Sequence, residues 1–193
     1  MNKTRLEAFS DGVIAIIITI MILEIKVPHD TSWASIGQLG PVFLSYILSF
    51  VGLAIYWVNH HHLIHAIKKV SGAILWANIT LLFSLSLVPF VTAWMGESHF
   101  EKNPVIAYAV IDNCCGISYF LLLMAIKRTH GDYPEVIQLL EHQSNKGLLS
   151  ATAYTIALFI AFYYPMISII IFILIAFIWI IPDKNIERAL NTR

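Results

Sequence analysis

The stretch Arg5–Ile25, RLEAFSDGVIAIIITIMILEI, decides how the rest of the chain is read. Between Asp11 and Glu24 lies a run of 12 residues, Gly12–Leu23, with no charge in it. As a helix that run spans roughly 20 Å at about 1.5 Å per residue. A bilayer core is about 30 Å thick and asks for about 20 apolar residues. A helix oily in the middle, acidic at both ends and shorter than the bilayer is a poor choice for contact with lipid. It is better placed inside a bundle, where neighbouring helices and water cover its ends. One chain offers few such neighbours, so symmetric assembly about this helix is the expected arrangement.

The faces of the helix follow from its period. At about 100° per residue, Gly12, Ile16, Thr19, Ile20 and Leu23 fall on one stripe, and Asp11 lies about 140° round from Ile16, pointing away. If the stripe faces a symmetry axis, aliphatic side chains wall that axis, with one ring of hydroxyls at Thr19. Glu24 then forms a ring of carboxylates at the external mouth, where it concentrates cations. Ordinary packing also produces Ile-rich stripes; the shortness of the run and its terminal carboxylates favour the axial position. Asp11 faces the other spans and must find donors there or be neutral.

Beyond this stretch the chain is equally apolar. Of its 193 residues 58% are hydrophobic and 12% charged, and the mean hydropathy is +0.74. The expected class is all-α: a single polytopic membrane domain covering 1–193, with spans near 9–27, 41–59, 73–95, 104–126, 147–163 and 165–181. The last two meet at FYYPM, where Pro165 follows two tyrosines in a tight hairpin. Pro134 and Glu135 open an expected short amphipathic helix, about 134–143, lying on the membrane surface.

The basic residues orient the chain. With the N-terminus inside, the inner segments hold Lys3, Arg5, Lys68, Lys69, Lys127, Arg128, Lys146, Lys184, Arg188 and Arg193, against Lys26 and Lys102 outside. The expectation is a multi-pass protein of a prokaryotic plasma membrane with both termini cytoplasmic. The zero formal charge says nothing about an acidic or basic partner, and no nucleic-acid partner is expected. The adjacent Cys114 and Cys115, inside an apolar run, are read as small packing residues.

The R-x-x-x-F-S-D pattern at Arg5, Phe9, Ser10 and Asp11 resembles the signature of the transmembrane-protein-175 potassium channel family. The second span carries YWVNHHHLI, similar to the family's Trp-x-x-His segment at Trp57 and His60. The third carries LWANITLLFSLSLVPF, similar to its Trp/Asn start and Pro-Phe end at Trp76, Asn78, Pro89 and Phe90. The resemblance implies a six-span protomer of a homotetramer in the bilayer, with the first helix lining the pore. It implies a constriction at Ile16, Ile20 and Leu23, with selectivity associated with Thr19 and Ile16. It further implies a structural network joining Arg5, Phe9, Ser10 and Asp11 to His60, Trp76 and Asn78. The implied function is a potassium-preferring leak channel for monovalent cations that gates by dewetting of an aliphatic neck. No cofactor is expected, K⁺ being the permeant ion.

Other polar residues leave alternatives open. His60, His61, His62 and His65 cluster near the inner face, and His61 and His65 have a spacing that can clasp a metal. With no Cys or carboxylate close by in sequence, no metal site is expected. Asp112 lies within the fourth span, where an acid either serves a proton path or bonds across helices beside Asn113. A proton-coupled secondary transporter using Asp112 and the His60–His65 cluster is therefore the alternative, although such proteins usually show repeated halves. His130 and His142 read as solvated loop residues. No Ser-His-Asp order, Gly-rich phosphate loop or H-E-x-x-H is present, so no enzymatic chemistry is expected.

Overall fold

The computed structural model describes residues 2–28 and 30–180. Helix α1 runs Lys3–Ile20 and tightens into a 3₁₀ turn, Met21–Glu24. A short helix, α2 (Trp33–Gln38), leads into α3 (Gly40–Ala66). Then come α4 (Gly72–Ser86), α5 (Val88–Glu97), α6 (Lys102–Thr129), α7 (Pro134–Ala161) and α8 (Pro165–Ile180). Among the described residues four helical stretches are long and apolar enough to cross a membrane: Lys3–Glu24, Gly40–Ala66, Gly72–Glu97 and Lys102–Thr129. Lys146–Ala161 and Pro165–Ile180 are shorter apolar helices. The protein is an all-helical, multi-pass membrane protein.

The first helix is longer than its uncharged run. It starts at Lys3 because Asn2 Oδ1 accepts from the Arg5 amide at 3.0 Å, capping the first turn. Leu6 is buried and anchors that turn. Over Lys3–Glu24 the 22 residues rise about 33 Å. The helix can therefore cross the bilayer, and only its oily section is short. Ser10 and Asp11 sit inside the helix and do not cap it.

Prolines set the other boundaries. Pro41, Pro134 and Pro165 stand in the first turns of α3, α7 and α8, where a missing N–H costs nothing. Pro89 instead splits the third span between α4 and α5, because its ring cannot continue the hydrogen-bond ladder. The expected surface helix at 134–143 is not a separate element: one helix runs unbroken from Pro134 to Ala161. Nothing between residues 143 and 147 is a strong enough breaker, Gly147 alone being tolerated within a helix. Residue 181 and the basic residues Lys184, Arg188 and Arg193 lie outside the described residues.

Two packed regions hold the protomer. One joins α1, α3, α4 and α6 through Ile14, Ile17, Leu53, Leu81 and Leu122; the other joins α3, α5, α6, α7 and α8 through Met95, Val105, Ala157 and Phe172. Since lipid is as apolar as leucine, close packing and interhelical hydrogen bonds hold such helices together. Thr92 Oγ1 donates to Ser49 Oγ at 2.7 Å, and Ser49 Oγ meets the Tyr108 hydroxyl at 3.1 Å. Ser84 and Ser118 bond at 2.9 Å.

Candidate functional site: the two faces of the first helix

Helix α1 packs on α3 and α4 along one face and leaves the other open. Ile14 and Ile17 are 0% and 3% exposed, whereas Ile16 and Leu23 are 61% and 76% exposed. Thr19 and Ile20 share the open face. Among the described residues, then, no side chain covers the stripe Ile16, Thr19, Ile20 and Leu23. The Thr19 hydroxyl donates back to its own helix, at 2.9 Å from the Ala15 carbonyl and 3.0 Å from that of Ile16. Its proton is thereby committed inward, which leaves the oxygen lone pairs as the polar feature of the open face. Glu24 stands exposed at the end of the 3₁₀ turn. Beyond it Lys26 pairs with Glu97, whose hydrogen bond and charge raise the Lys26 pKa.

The buried face carries the motif residues. Ser10, Asn78 and His60 are all buried. Asn78 Nδ2 donates to Ser10 Oγ at 2.9 Å, and His60 Nε2 lies 2.7 Å from Asn78 Oδ1. With the amide oxygen as acceptor, the His60 proton resides on Nε2. Ser10 in turn donates to the Leu6 carbonyl at 2.9 Å. This chain ties α1, α4 and α3 together at one level. Beside it, Trp57 Nε1 donates to Asp11 Oδ1 at 3.0 Å.

Three expected members of this network behave differently. The indole that meets Asp11 belongs to Trp57, while Trp76 faces outward at 72% exposed. Phe9 is more than half exposed and Arg5 is exposed. The reason is helical phase. Trp57, His60 and His61 are spaced i, i+3 and i+4 on the face of α3 that meets α1, whereas Trp76 lies two residues before Asn78 and so on another side of α4. The W-x-x-H spacing carried that signal.

The histidine cluster also gains neighbours that sequence separation hides. Lys3 Nζ donates to the His65 carbonyl, which brings the start of α1 to the end of α3. Glu7 and Asp11, one turn apart on α1, reach His61, with Glu7 Oε1 3.3 Å from His61 Nδ1. The three groups can bring ligand atoms within 4.8 Å of one another. Pairing of Glu7 with His61 accounts for that closeness.

His130 is not a solvated loop residue. It is fully buried, with Nδ1 3.0 Å from the Ile126 carbonyl, and Nε2 accepts the Lys68 and Lys69 amides at 3.0 and 3.1 Å. The imidazole thereby fixes the connection between α3 and α4 against the end of α6. The His142 side chain lies outside the described residues.

The fold and this helix define a class: a membrane-embedded helical chain whose first helix presents an uncovered aliphatic face. The sequence model described as endosomal/lysosomal potassium channel TMEM175 matches residues 5–89. The chain is 50% identical over 191 residues to a potassium channel of Chryseobacterium sp., covering 99% of each chain. It is 40% identical over 102 residues to a potassium channel of Streptomyces collinus, covering half of each. Its fold resembles the crystal structure of a lysosomal potassium-selective channel TMEM175 homolog from Chamaesiphon minutus. That likeness has a TM-score of 0.81 at 27% identity and covers 92% of this chain and 95% of that one. The chain belongs to the TMEM175 family.

Proposed function

We propose that four copies of the chain surround a common axis with their α1 helices innermost and conduct potassium in preference to sodium. The supporting observation is the division of α1 into a buried face at Ile14 and Ile17 and an uncovered one at Ile16, Thr19, Ile20 and Leu23. Relatives named as potassium channels, one of them matched over nearly its whole length, point the same way. In this reading Ile16, Ile20 and Leu23 form the constriction. It is dry and closed when narrow, and it passes ions when a small dilation admits water. Thr19 is the one residue of the stripe with a side-chain oxygen, and K⁺ sheds its water at lower cost than Na⁺, so the preference for K⁺ is modest. Glu24 gathers cations at the outer mouth. The protein resides in the plasma membrane with both termini cytoplasmic, as the basic residues direct.

The test is K⁺ and Na⁺ flux in liposomes containing the purified protein, alongside its subunit count by cross-linking. A cross-linked tetramer that passes K⁺, with Ile16→Asn and Leu23→Asn raising flux and relaxing ion preference, supports the reading. Unchanged flux in both variants removes these side chains from the pore.

A further inference from the structure

We propose that each protomer carries a second, off-axis site: the cavity between α3, α6, α7 and α8 binds a small alkylammonium cation on the Asp112 carboxylate. This cavity, of about 70 Å³, is lined by Asp112 together with Tyr56, Tyr119, Tyr154 and Trp179. No residue of α1 contributes to its wall, so the site stands apart from the proposed pore.

Asp112 is the part that structure alone leaves unexplained. An acid within a membrane-crossing helix is normally paired with a cation or with hydrogen-bond donors. Among the described residues Asp112 has neither. Its neighbour Asn113 does the bonding across helices: Nδ2 donates to the Tyr154 carbonyl at 3.2 Å, and Oδ1 accepts from Thr155 Oγ1 at 3.0 Å. The α6–α7 contact is thus secured without Asp112, and the carboxylate remains available at the cavity wall.

That wall is rich in ring faces. Tyr56 and Tyr119 meet edge to face at 6.1 Å, and Tyr154 packs on Phe172 at 5.9 Å. A cation held over such faces and near one carboxylate gains from both, most of all when it is weakly hydrated. Alkali ions are served less well, since they need several oxygens to replace their water.

The space is also kept open by composition. Gly52, Gly116 and Gly147, from three different helices, line it. A Cβ at Gly52 or Gly147 would meet nothing within 4 Å, and one at Gly116 would first meet the Tyr56 hydroxyl at 4.0 Å. Alanine would therefore fit at each position and fill the void. Small residues in membrane helices usually permit close backbone contact; here they border empty volume. The size selects the ligand. A cavity of about 150 Å³ is what benzene occupies, so this one best suits a compact cation such as isopropylammonium.

The experiment is calorimetric titration of isopropylammonium chloride into the purified full-length protein in detergent, with isopropanol as the uncharged control. Saturable binding is expected, one per chain, with no saturation by isopropanol. Asp112→Asn weakens it by about tenfold or more, and Gly52→Ala and Gly116→Ala weaken it severalfold. Gly116→Ala keeps every polar group, so it decides the matter if Asp112→Asn fails to assemble. Absence of saturable binding to the native protein overturns the proposal. So does equal binding by isopropanol, by Asp112→Asn or by Gly116→Ala. None of these readouts depends on ion flux, so a failure of the pore reading is seen separately.

Discussion

Trp57 donates its indole N–H to Asp11 at 3.0 Å, joining the α3 helix to the acidic group that precedes the α1 apolar run. A hydrogen bond to a carboxylate contributes about 1.5–3 kcal/mol, and partial exposure of Asp11 places this one at the low end. Trp57→Phe is expected to lower stability in detergent by about 1.5 kcal/mol, seen as a fall in the thermal midpoint. Trp76→Phe removes no hydrogen bond that the Trp76 side chain makes among the described residues and should change stability by less than about 0.5 kcal/mol. An equal loss in both variants would contradict the assignment of the Asp11 partner.

The Ser10–Asn78–His60 chain is more costly to disturb, because all three residues are buried. Asn78→Leu strands the Ser10 oxygen and the His60 Nε2 proton together, and each orphaned buried group costs about 1–3 kcal/mol. The expected loss is about 3 kcal/mol. Ser10→Ala in the same background should then cost less than it does alone, since its partner is already gone. A double-mutant cycle measures the difference, and strict additivity would show that the two residues are not coupled.

Hydropathy and period made the helices and the two faces of α1 legible in the sequence. The stripe of Ile16, Ile20 and Leu23 is a consequence of spacing alone, and the structure leaves it uncovered. What spacing could not supply was partnership across helices. Trp57 and Trp76 are equally good indoles in sequence, and only the phase of α3 against α1 selects the first. His130 looked like a loop residue because its partners, the amides of Lys68 and Lys69, are about sixty positions away. The carboxylates near His61 were missed for the same reason, Glu7 coming from the far end of another helix. The split of the third span at Pro89 was marked by its proline, whereas the unbroken α7 carried no mark at all.

Helix α5 crosses α3 closely at Gly96. A Cβ there would collide with the Ser45 hydroxyl and lie 2.8 Å from the Val42 Cα. The serine side chain can rotate away, but the Val42 backbone cannot move without shifting α3. Gly96→Ala is expected to destabilise the protein by about 1–3 kcal/mol, overriding the usual gain from replacing a helical glycine. Gly72→Ala, where nothing lies within 4 Å, is the matched control and should be neutral or slightly stabilising. Comparison of their thermal midpoints checks the point. A neutral Gly96→Ala would mean that the two helices are not this close in the membrane.

Ile16 and Ile17 are consecutive in sequence and have opposite surroundings, at 61% and 3% exposed. Ile17 belongs to the packed region between α1, α3, α4 and α6. Truncating it to alanine removes buried methyl groups and leaves a cavity, an expected loss of about 2–4 kcal/mol. Ile16→Ala deletes no contact of comparable depth within the protomer, so the monomer's packing energy should change little. Its effect should appear in flux instead, because shortening a side chain at an aliphatic neck widens the neck and eases its wetting. The pair therefore separates stability from conduction at adjacent positions: Ile17→Ala lowers the thermal midpoint without relaxing ion preference per assembled channel, and Ile16→Ala does the reverse. Measuring both properties on both variants checks the orientation of α1 about the proposed axis. If Ile17→Ala alone altered conduction, the helix would have to be rotated by about 100°, and the axis would run along the face that the protomer buries.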